Sequence, residues 1–228
     1  MDVRIASLLS GAERATGSVV IIDVFRAFTT AAVVLGRGAA KVIMVSSVEE
    51  ALALRSAGIG ELCMGEVRGR APPGFDFGNS PFEASQAQVN RLTIIQRTSA
   101  GTQGIVAARQ ASRLYAGALV TATATVRALH KAAPQQVSLV AMGNDGVTRA
   151  DEDELCALHL RNLLEGRTGN AAATRQLILA GPRISDFQDP AKAHLHGEDL
   201  EIALDVDRYD FAVRISQEEG RLVARAEP

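Results

Sequence analysis

The sequence contains no tryptophan and only two cysteines among its 228 residues, which excludes several classes of cross-linked protein. Cys63 and Cys156 lie far apart, each within an apolar run. This spacing predicts neither a disulfide framework nor a zinc site. We interpret both cysteines as small buried hydrophobic residues in a protein of a reducing compartment.

Long apolar runs are also absent, since none approaches the ~20 residues that a membrane-spanning helix needs. Residues 1–5 lack a basic region followed by a long apolar stretch, so we expect no signal peptide. The formal net charge of −2 provides no bulk attraction for nucleic acid or a membrane surface. We therefore expect a cytoplasmic protein with no nucleic-acid and no membrane partner, and homo-oligomerisation stays open.

Common nucleotide-binding and hydrolase motifs are missing as well. No Gly-x-Gly-x-x-Gly follows the first apolar run, and no P-loop Gly-Lys-Ser/Thr or Gly-x-Ser-x-Gly elbow occurs. A haloacid-dehalogenase-type phosphatase would carry a second aspartate two residues after Asp23, where this chain has Phe25. These absences exclude dinucleotide-binding, P-loop and α/β-hydrolase chemistry of the usual kinds.

Short β-branched runs alternate with helix-like segments along most of the chain. Residues 18–24 form a largely β-branched run, which is typical of a strand buried on both faces of a parallel sheet. Further strands are predicted at 41–45, 61–64, 92–96, 114–119 and 137–143, and a closing β-hairpin at 209–215 and 221–224. The pattern predicts an α/β fold over residues 1–228 as one unit, since no linker or internal repeat interrupts it.

The first strand ends at Asp23, and Arg26, Thr29 and Thr30 follow it closely. Ligands of open α/β sheets bind outside the carboxyl ends of strands. Helix capping explains one threonine but leaves both Asp23 and Arg26 unexplained. We therefore favour a functional role for this strand end.

A long irregular segment, residues 65–83, combines glycine and proline with charged and amide side chains. Segments of this kind inside a compact domain are usually functional or disordered, and its three phenylalanines argue against disorder. An ordered binding loop and a structural wrap that plugs the core are both compatible with the pattern. Ser80 and Glu83 also have the spacing of a capping box for a helix that begins at Pro81.

Two other polar clusters have both a structural and a functional interpretation. Thr98 and Thr102 frame a turn before a helix N-terminus, which predicts an anion cradle of a generic kind. The acidic run 151–154 suits the start of a helix, yet Glu152 or Asp153 could also bind a hard cation. The pair His194 and His196 has a metal-ligand spacing, but no further ligand lies nearby, so exposed loop histidines are the preferred interpretation.

Several of these segments, taken together, resemble the 2-phosphosulfolactate phosphatase family. The resemblance runs through residues 20–30, 65–69, 74–83, 98–102 and 152–157 in order, so it covers essentially the whole chain. It implies a magnesium-dependent phosphoric monoester hydrolase with a mostly parallel or mixed three-layer sheet, flanking helices and two dissimilar α/β parts. The reaction that it implies releases phosphate from 2-phospho-3-sulfolactate on the route to coenzyme M.

The resemblance and the residue types together give the predicted site. Asp23 and Asp76 are the first candidates for Mg²⁺ ligands, with Glu152 and Asp153 in reserve. The substrate is a small anionic phosphorylated acid that two arginines and a general acid or base would serve. The predicted catalytic residues are Asp23, Arg26, Glu66, Arg68 and Asp76, and the predicted substrate-binding residues are Thr30, Asn79, Ser80, Thr98 and Thr102.

Three departures from the family pattern fall near this predicted site. Ala100 replaces an asparagine that relatives usually carry, the turn at 123–125 lacks another, and Phe25 and Phe28 replace smaller or aliphatic residues. Two alternatives therefore stay open. One is a phosphatase for another small phosphorylated carboxylic acid, and the other is a non-catalytic binder of anionic metabolites.

Overall fold

A computed structural model describes all 228 residues, in which nine strands and nine α-helices alternate. The strands are β1 (Asp2–Ser7), β2 (Gly17–Ile22), β3 (Lys41–Met44), β4 (Leu62–Gly65), β5 (Thr93–Arg97), β6 (Ala111–Gly117), β7 (Gln136–Ala141), β8 (Ala212–Glu218) and β9 (Arg221–Glu227). The helices are α1 (Leu8–Arg14), α2 (Ala27–Gly36), α3 (Val48–Ser56), α4 (Pro81–Gln86), α5 (Gly101–Ala107), α6 (Ala122–Ala132), α7 (Asp151–Leu164), α8 (Ala171–Leu179) and α9 (Gly197–Ala203). Short 3₁₀ segments lie at Leu119–Thr121, Pro182–Gln188 and Pro190–Lys192. No helix is long and apolar enough to span a bilayer.

All nine strands belong to one sheet with the order β1-β7-β2-β6-β8-β9-β3-β5-β4. The first four of these strands are parallel to one another, as are the last three. The hairpin β8–β9 lies between the two groups and pairs antiparallel with β6 on one side and β3 on the other. This confirms the predicted α/β fold with a mostly parallel, mixed sheet, flanking helices and a C-terminal hairpin.

Strand β2 shows why the sheet is covered by helices on both faces. Its residues 19–22 are fully buried, and alternate side chains enter different apolar clusters. Val19 and Ile21 pack with residues of α1, α2 and α5, whereas Val20 and Ile22 pack with residues of α6 and α7. A strand that is apolar at every position requires this two-sided cover. Cys63 and Cys156 are buried and free, in agreement with their interpretation as small hydrophobic residues.

Some element boundaries differ from the sequence-based expectation. Strand β1 and helices α1 and α9 were not predicted, because each is short and only partly apolar. Helix α4 ends at Gln86 rather than near residue 89, and the closing hairpin begins at Ala212 rather than at 209. Ser80 caps α4 through Glu83 N, as predicted, but the Glu83 carboxylate accepts from Gly78 N, so the capping box does not close.

The strand directions place the two parallel groups in opposite senses, since β3 is antiparallel to β9, which is itself antiparallel to β8. The loops after β2 and β5 nevertheless lie together. Gln96 Nε2 donates to Ala27 O at 2.8 Å, and a Cβ added at Gly101 would lie 2.9 Å from Asp23 Oδ2. Each strand of a sheet is rotated by roughly 20–25° from its neighbour. Five steps separate β2 from β5 in the sheet, and these contacts show that loops of both groups meet.

Gly65, at the end of β4, provides a test of this close approach. Its φ of +136° is unfavourable for other residues, and an added Cβ would collide with Arg97 O of the neighbouring strand. We expect Gly65→Ala to lower the free energy of unfolding in urea by more than about 3 kcal/mol.

Gly58 provides the matched control for that substitution, because its φ is +69° and a Cβ there would meet nothing within 4 Å. Gly58→Ala should cost only the roughly 1–2 kcal/mol of a left-handed alanine. Equal losses in the two variants would show that backbone conformation, rather than the approach of β4 to β5, limits Gly65.

Candidate active site

A polar cavity of about 100 Å³ lies where the loops after β2, β4, β5 and β7 converge. A second cavity of about 140 Å³ adjoins it at the start of α7. The two share Phe25, Asn144 and Arg183 as lining residues. Of the residues that the sequence predicted, the first cavity is lined by Asp23, Arg26, Glu66 and Asn79, and the second by Glu152.

Asp23 follows β2 and is buried at the wall of the first cavity. Its Oδ1 accepts from Ala27 N at 3.0 Å, whereas Oδ2 has no protein partner and is not sealed from the cavity. Burial raises the pKa of Asp23 to about 6, the Ala27 hydrogen bond opposes this, and the charge of Glu66 adds to it. Asp23 thus presents one free carboxylate oxygen in a region of excess negative charge.

Glu66 is the second buried carboxylate of this cavity, and its position is fixed by three donors. Oε1 accepts from Ser99 N at 2.5 Å, and Oε2 accepts from Gly69 N at 2.7 Å and from Ser99 Oγ at 3.0 Å. Glu66 therefore ties the loop after β4 to the loop after β5. About one of the roughly four lone-pair positions of a carboxylate remains free.

Asn79 lies in the long loop and is only 5% exposed. Its carbonyl is within 3.2 Å of Thr30 Oγ1, but its side-chain Oδ1 is buried without any hydrogen-bond partner. Leaving a buried amide oxygen unpaired is unfavourable. Because Asn79 lines the cavity, its Oδ1 is a candidate for contact with a ligand or cation.

Arg183 is the functional candidate that the sequence analysis missed. It lies in the 3₁₀ segment Pro182–Gln188 and lines both cavities. Its Nη1 donates to Glu152 Oε1 at 2.8 Å and contacts Asn144 Oδ1, and its charge favours ionised Asp23. An isolated arginine some 160 residues away from Asp23 in sequence carries no local motif, so only the folded structure identifies it.

Glu152 and Asp153, the two predicted metal ligands at the start of α7, have structural partners. Asp153 accepts from Val24 N at 2.7 Å and from Gly143 N at 2.8 Å, and so bridges the ends of β2 and β7. Burial, followed by the charge of Asp23, raises the pKa of Asp153 well above its ordinary value. Burial also raises the pKa of Glu152, against the opposing effect of Arg183.

Two of the predicted catalytic residues lie outside both cavities. Asp76 Oδ2 accepts from Cys63 N at 2.8 Å and from Arg55 Nη1 at 2.9 Å, so this carboxylate joins its loop to β4 and α3. Arg68 has an exposed side chain at the rim, and its backbone N donates to Ser99 Oγ at 3.3 Å. Asp76 is therefore not among our candidates for metal ligands, since it shares no cavity with Asp23.

Four predicted substrate-binding hydroxyls are buried and bonded within the protein. Thr98 and Thr102 each donate a backbone N–H to the hydroxyl of the other, which closes the turn before α5. Ser80 Oγ donates to Asp199 Oδ1, and Thr30 Oγ1 is 2.9 Å from Arg26 O. None of the four lines either cavity, so they position neighbouring residues rather than face a ligand.

The histidine pair is not exposed, contrary to the preferred interpretation. His194 and His196 are half-buried, because the segment before α9 packs onto the long loop. His196 Nε2 lies 3.0 Å from Glu83 Oε1. The His194 carbonyl accepts from Arg26 Nη1 at 2.9 Å, so this segment contributes to the site through its backbone.

The side chains around the cavity offer few of the ligands that a metal ion requires. No group of three or more His, Cys, Asp or Glu side chains is arranged to hold a metal ion. Mg²⁺ usually binds one or two carboxylates and keeps waters or substrate oxygens for its other positions. Asp23 Oδ2, which is open to the cavity and has no protein partner, fits that more modest requirement. Asn79 Oδ1, buried in the lining of the same cavity, is a second oxygen without a partner.

The raised pKa of Asp23 predicts how the metal-free protein responds to pH. The pKa of Asp23 is about 6 in the folded state and ordinarily 3.8, so the folded state binds this proton more tightly than the unfolded state does. The free energy of unfolding therefore falls as the pH rises through 6. The full loss for this residue is about 3 kcal/mol, of which about 2 kcal/mol falls between pH 4.5 and pH 8. Unfolding in urea with EDTA at pH 4.5 and pH 8 measures it.

Asp23→Asn should reduce this loss and stabilise the protein at pH 8, since an amide keeps the Ala27 hydrogen bond without the charge. Asp76→Asn provides the comparison, because it also removes one carboxylate but lies outside the cavity. An unchanged pH slope in Asp23→Asn would contradict the assignment of a buried, protonatable carboxylate at this position.

Comparison with known proteins identifies the family of this chain. The family model described as 2-phosphosulpholactate phosphatase matches residues 5–223. A protein of Thermus thermophilus named "Probable 2-phosphosulfolactate phosphatase" is 38% identical over 138 residues, which are 60% of this chain and 56% of that relative. This chain thus spans little more than half the length of that relative and of a similar one from Deinococcus radiodurans.

Other relatives match over more of their length. One from Thermoplasma volcanium with the same name is 30% identical over 191 residues, covering 84% of this chain and 85% of the relative. One from a Cyanothece species is 28% identical over 224 residues, covering 90% and 91%. With a family model that matches residues 5–223 and relatives aligned through both groups of strands, the chain belongs to the 2-phosphosulpholactate phosphatase family.

Proposed function

We propose that this protein is a Mg²⁺-dependent phosphatase that hydrolyses the phosphate monoester of 2-phospho-3-sulfolactate to sulfolactate and phosphate. The observation that carries the proposal is a single cavity whose lining includes two arginines and two residues that each have an oxygen without a protein partner. Asp23 Oδ2 and Asn79 Oδ1 are the oxygens, and Arg26 and Arg183 are the arginines.

The two arginines suit a multiply charged substrate. Arg26 uses Nη1 for Asp199 and His194 O, and Arg183 uses Nη1 for Glu152 and Asn144. In both residues the other guanidinium nitrogens make no hydrogen bond to the protein, and none is sealed from solvent. Guanidinium groups bind phosphate, carboxylate and sulfonate oxygens in pairs, which matches a substrate with all three groups.

Asp23 and Asn79 would hold Mg²⁺, and when bound this ion would neutralise charge on the transferring phosphoryl group. Glu66 is our candidate for the general base or acid, since three donors fix its position and one lone-pair position is still free. Arg68, exposed at the rim, is assigned to the initial attraction of the anionic substrate.

A second candidate function is hydrolysis of another small phosphorylated carboxylic acid. The specific observation is that Ala100, which replaces the usual asparagine, lines the cavity directly. An alanine there removes an amide that could have bound one of the anionic groups of the substrate. A substrate without a sulfonate, such as phospholactate or phosphoglycolate, would then be accepted equally well.

Phosphate release from a substrate panel separates these candidates. With Mg²⁺, we expect kcat/KM for phosphosulfolactate to exceed that for phospholactate and phosphoglycolate at least tenfold, and EDTA to abolish release. Preference for a substrate without a sulfonate would favour the second candidate. Thermal stabilisation by these compounds without any phosphate release would favour a non-catalytic binder.

The assignment of Arg183 predicts a specific kinetic defect. Arg183→Ala should lower kcat/KM by about 10- to 200-fold, the loss expected for a charged hydrogen bond of 1.5–3 kcal/mol. Arg161→Ala is the matched control, because Arg161 pairs with Glu165 on the exposed side of α7 and touches neither cavity. Equal kinetics of the two variants would remove Arg183 from the site.

A further inference from the structure

Asp199 is a fully buried carboxylate in the first turn of α9, and the roles assigned so far do not include it. Its side chain has no exposed surface, and that of its ion-pair partner Arg26 has only 5%. Burying two charges is costly unless their geometry is good and further hydrogen bonds satisfy them. Such a pair therefore invites the question of what it holds in place.

Both oxygens of Asp199 are fully used. Oδ2 accepts from Arg26 Nη1 at 2.8 Å and from His196 N at 3.3 Å. Oδ1 accepts from Ser80 Oγ at 2.6 Å and from Phe82 N at 3.0 Å. One carboxylate thus joins three segments that are distant in sequence: the loop after β2, the start of α4, and the start of α9.

The contact with Arg26 controls which way its guanidinium faces. Arg26 Nη1 donates to Asp199 Oδ2 and to His194 O. Nε and Nη2 have no protein partner and are not sealed from solvent, and Arg26 lines the cavity. Because a guanidinium is planar and rigid, fixing Nη1 from behind also fixes the direction of the remaining N–H groups. Asn79, which lines the same cavity, directly precedes Ser80.

We propose that Asp199 is a positioning residue that orients Arg26 toward the anionic group of the substrate. Asp199 does not touch the ligand, and it acts through the Arg26 guanidinium. The proposal rests on the anion-binding role of Arg26 in the proposed function. It does not require that the protein hydrolyse any particular ester.

The negative charge of Asp199 is essential to this role. An asparagine has nearly the same shape, but it has only one acceptor oxygen where the carboxylate has two. Two of the four donors around it would then face an amide N–H, and Arg26 would lose its charged partner. A carboxylate is the group that accepts from four donors at once.

A double-mutant cycle with inorganic phosphate as the probe tests this role. Calorimetry measures phosphate binding to the wild type, Asp199→Asn, Arg26→Lys and the double variant. Lysine keeps a positive charge next to Asp199 but lacks the fork of N–H groups. We expect Asp199→Asn to weaken phosphate binding at least tenfold alone, and less than twofold in the Arg26→Lys background.

Asp207→Asn is the matched control, because Asp207 caps α6 through Thr123 N at 2.6 Å and lies outside both cavities. It should leave phosphate binding unchanged. If Asp199→Asn does not fold, as judged by circular dichroism, Asp199→Glu is compared in the same two backgrounds. Glutamate keeps the charge but shifts the carboxylate, so the same pattern is expected.

Three results would overturn the inference. They are an equal loss of phosphate binding in both backgrounds, no loss in a folded Asp199 variant, and a wild type that does not bind phosphate. Failure of the proposed function gives a different result, namely no phosphate release from the ester panel while the binding cycle still shows coupling. Release from the panel together with an uncoupled cycle would leave the phosphatase assignment intact and remove Asp199 from it.

Discussion

The structure depends on buried carboxylates that hold strand ends together through backbone amides. Asp153 accepts from the amides of Val24 and Gly143, and Glu66 accepts from those of Gly69 and Ser99. Each of these contacts links the ends of two different strands or their loops. Because one carboxylate can accept several hydrogen bonds at once, a few such contacts can organise an irregular region. The cavity is the space that remains between them.

The same carboxylates make the region electrostatically unfavourable when it contains no cation. Burial and mutual repulsion raise the pKa of Asp23, Glu152 and Asp153 together, and Arg183 offsets only part of this. Functional sites commonly retain unfavourable interactions of this kind, which a purely structural design would remove. The excess negative charge agrees with a role in binding a divalent cation, and the arginines agree with an anionic substrate.

The sequence predicted the scaffold better than the site, for physical reasons. Residues 19–22 are apolar at every position, so both the buried strand and the exit of Asp23 at its end followed from local pattern. The long loop was recognised as a unit, but its side chains point in different directions. Asn79 and Glu66 face the cavity, whereas Asp76 turns back to Cys63 N and Arg55, and no periodicity distinguishes them. Arg183 and Asp199 lie in short elements without any motif, so only tertiary contacts reveal them.

The position of the hairpin β8–β9 has a consequence for how the protein is made. No strand of the group β1-β7-β2-β6 is hydrogen-bonded to a strand of the group β3-β5-β4, because the hairpin lies between them. The cavity, however, takes residues from loops of both groups. A nascent chain therefore cannot complete the sheet that brings these loops together until the ribosome has released residues 212–227. The strands of both groups are thus synthesised before the sheet that joins them can be completed.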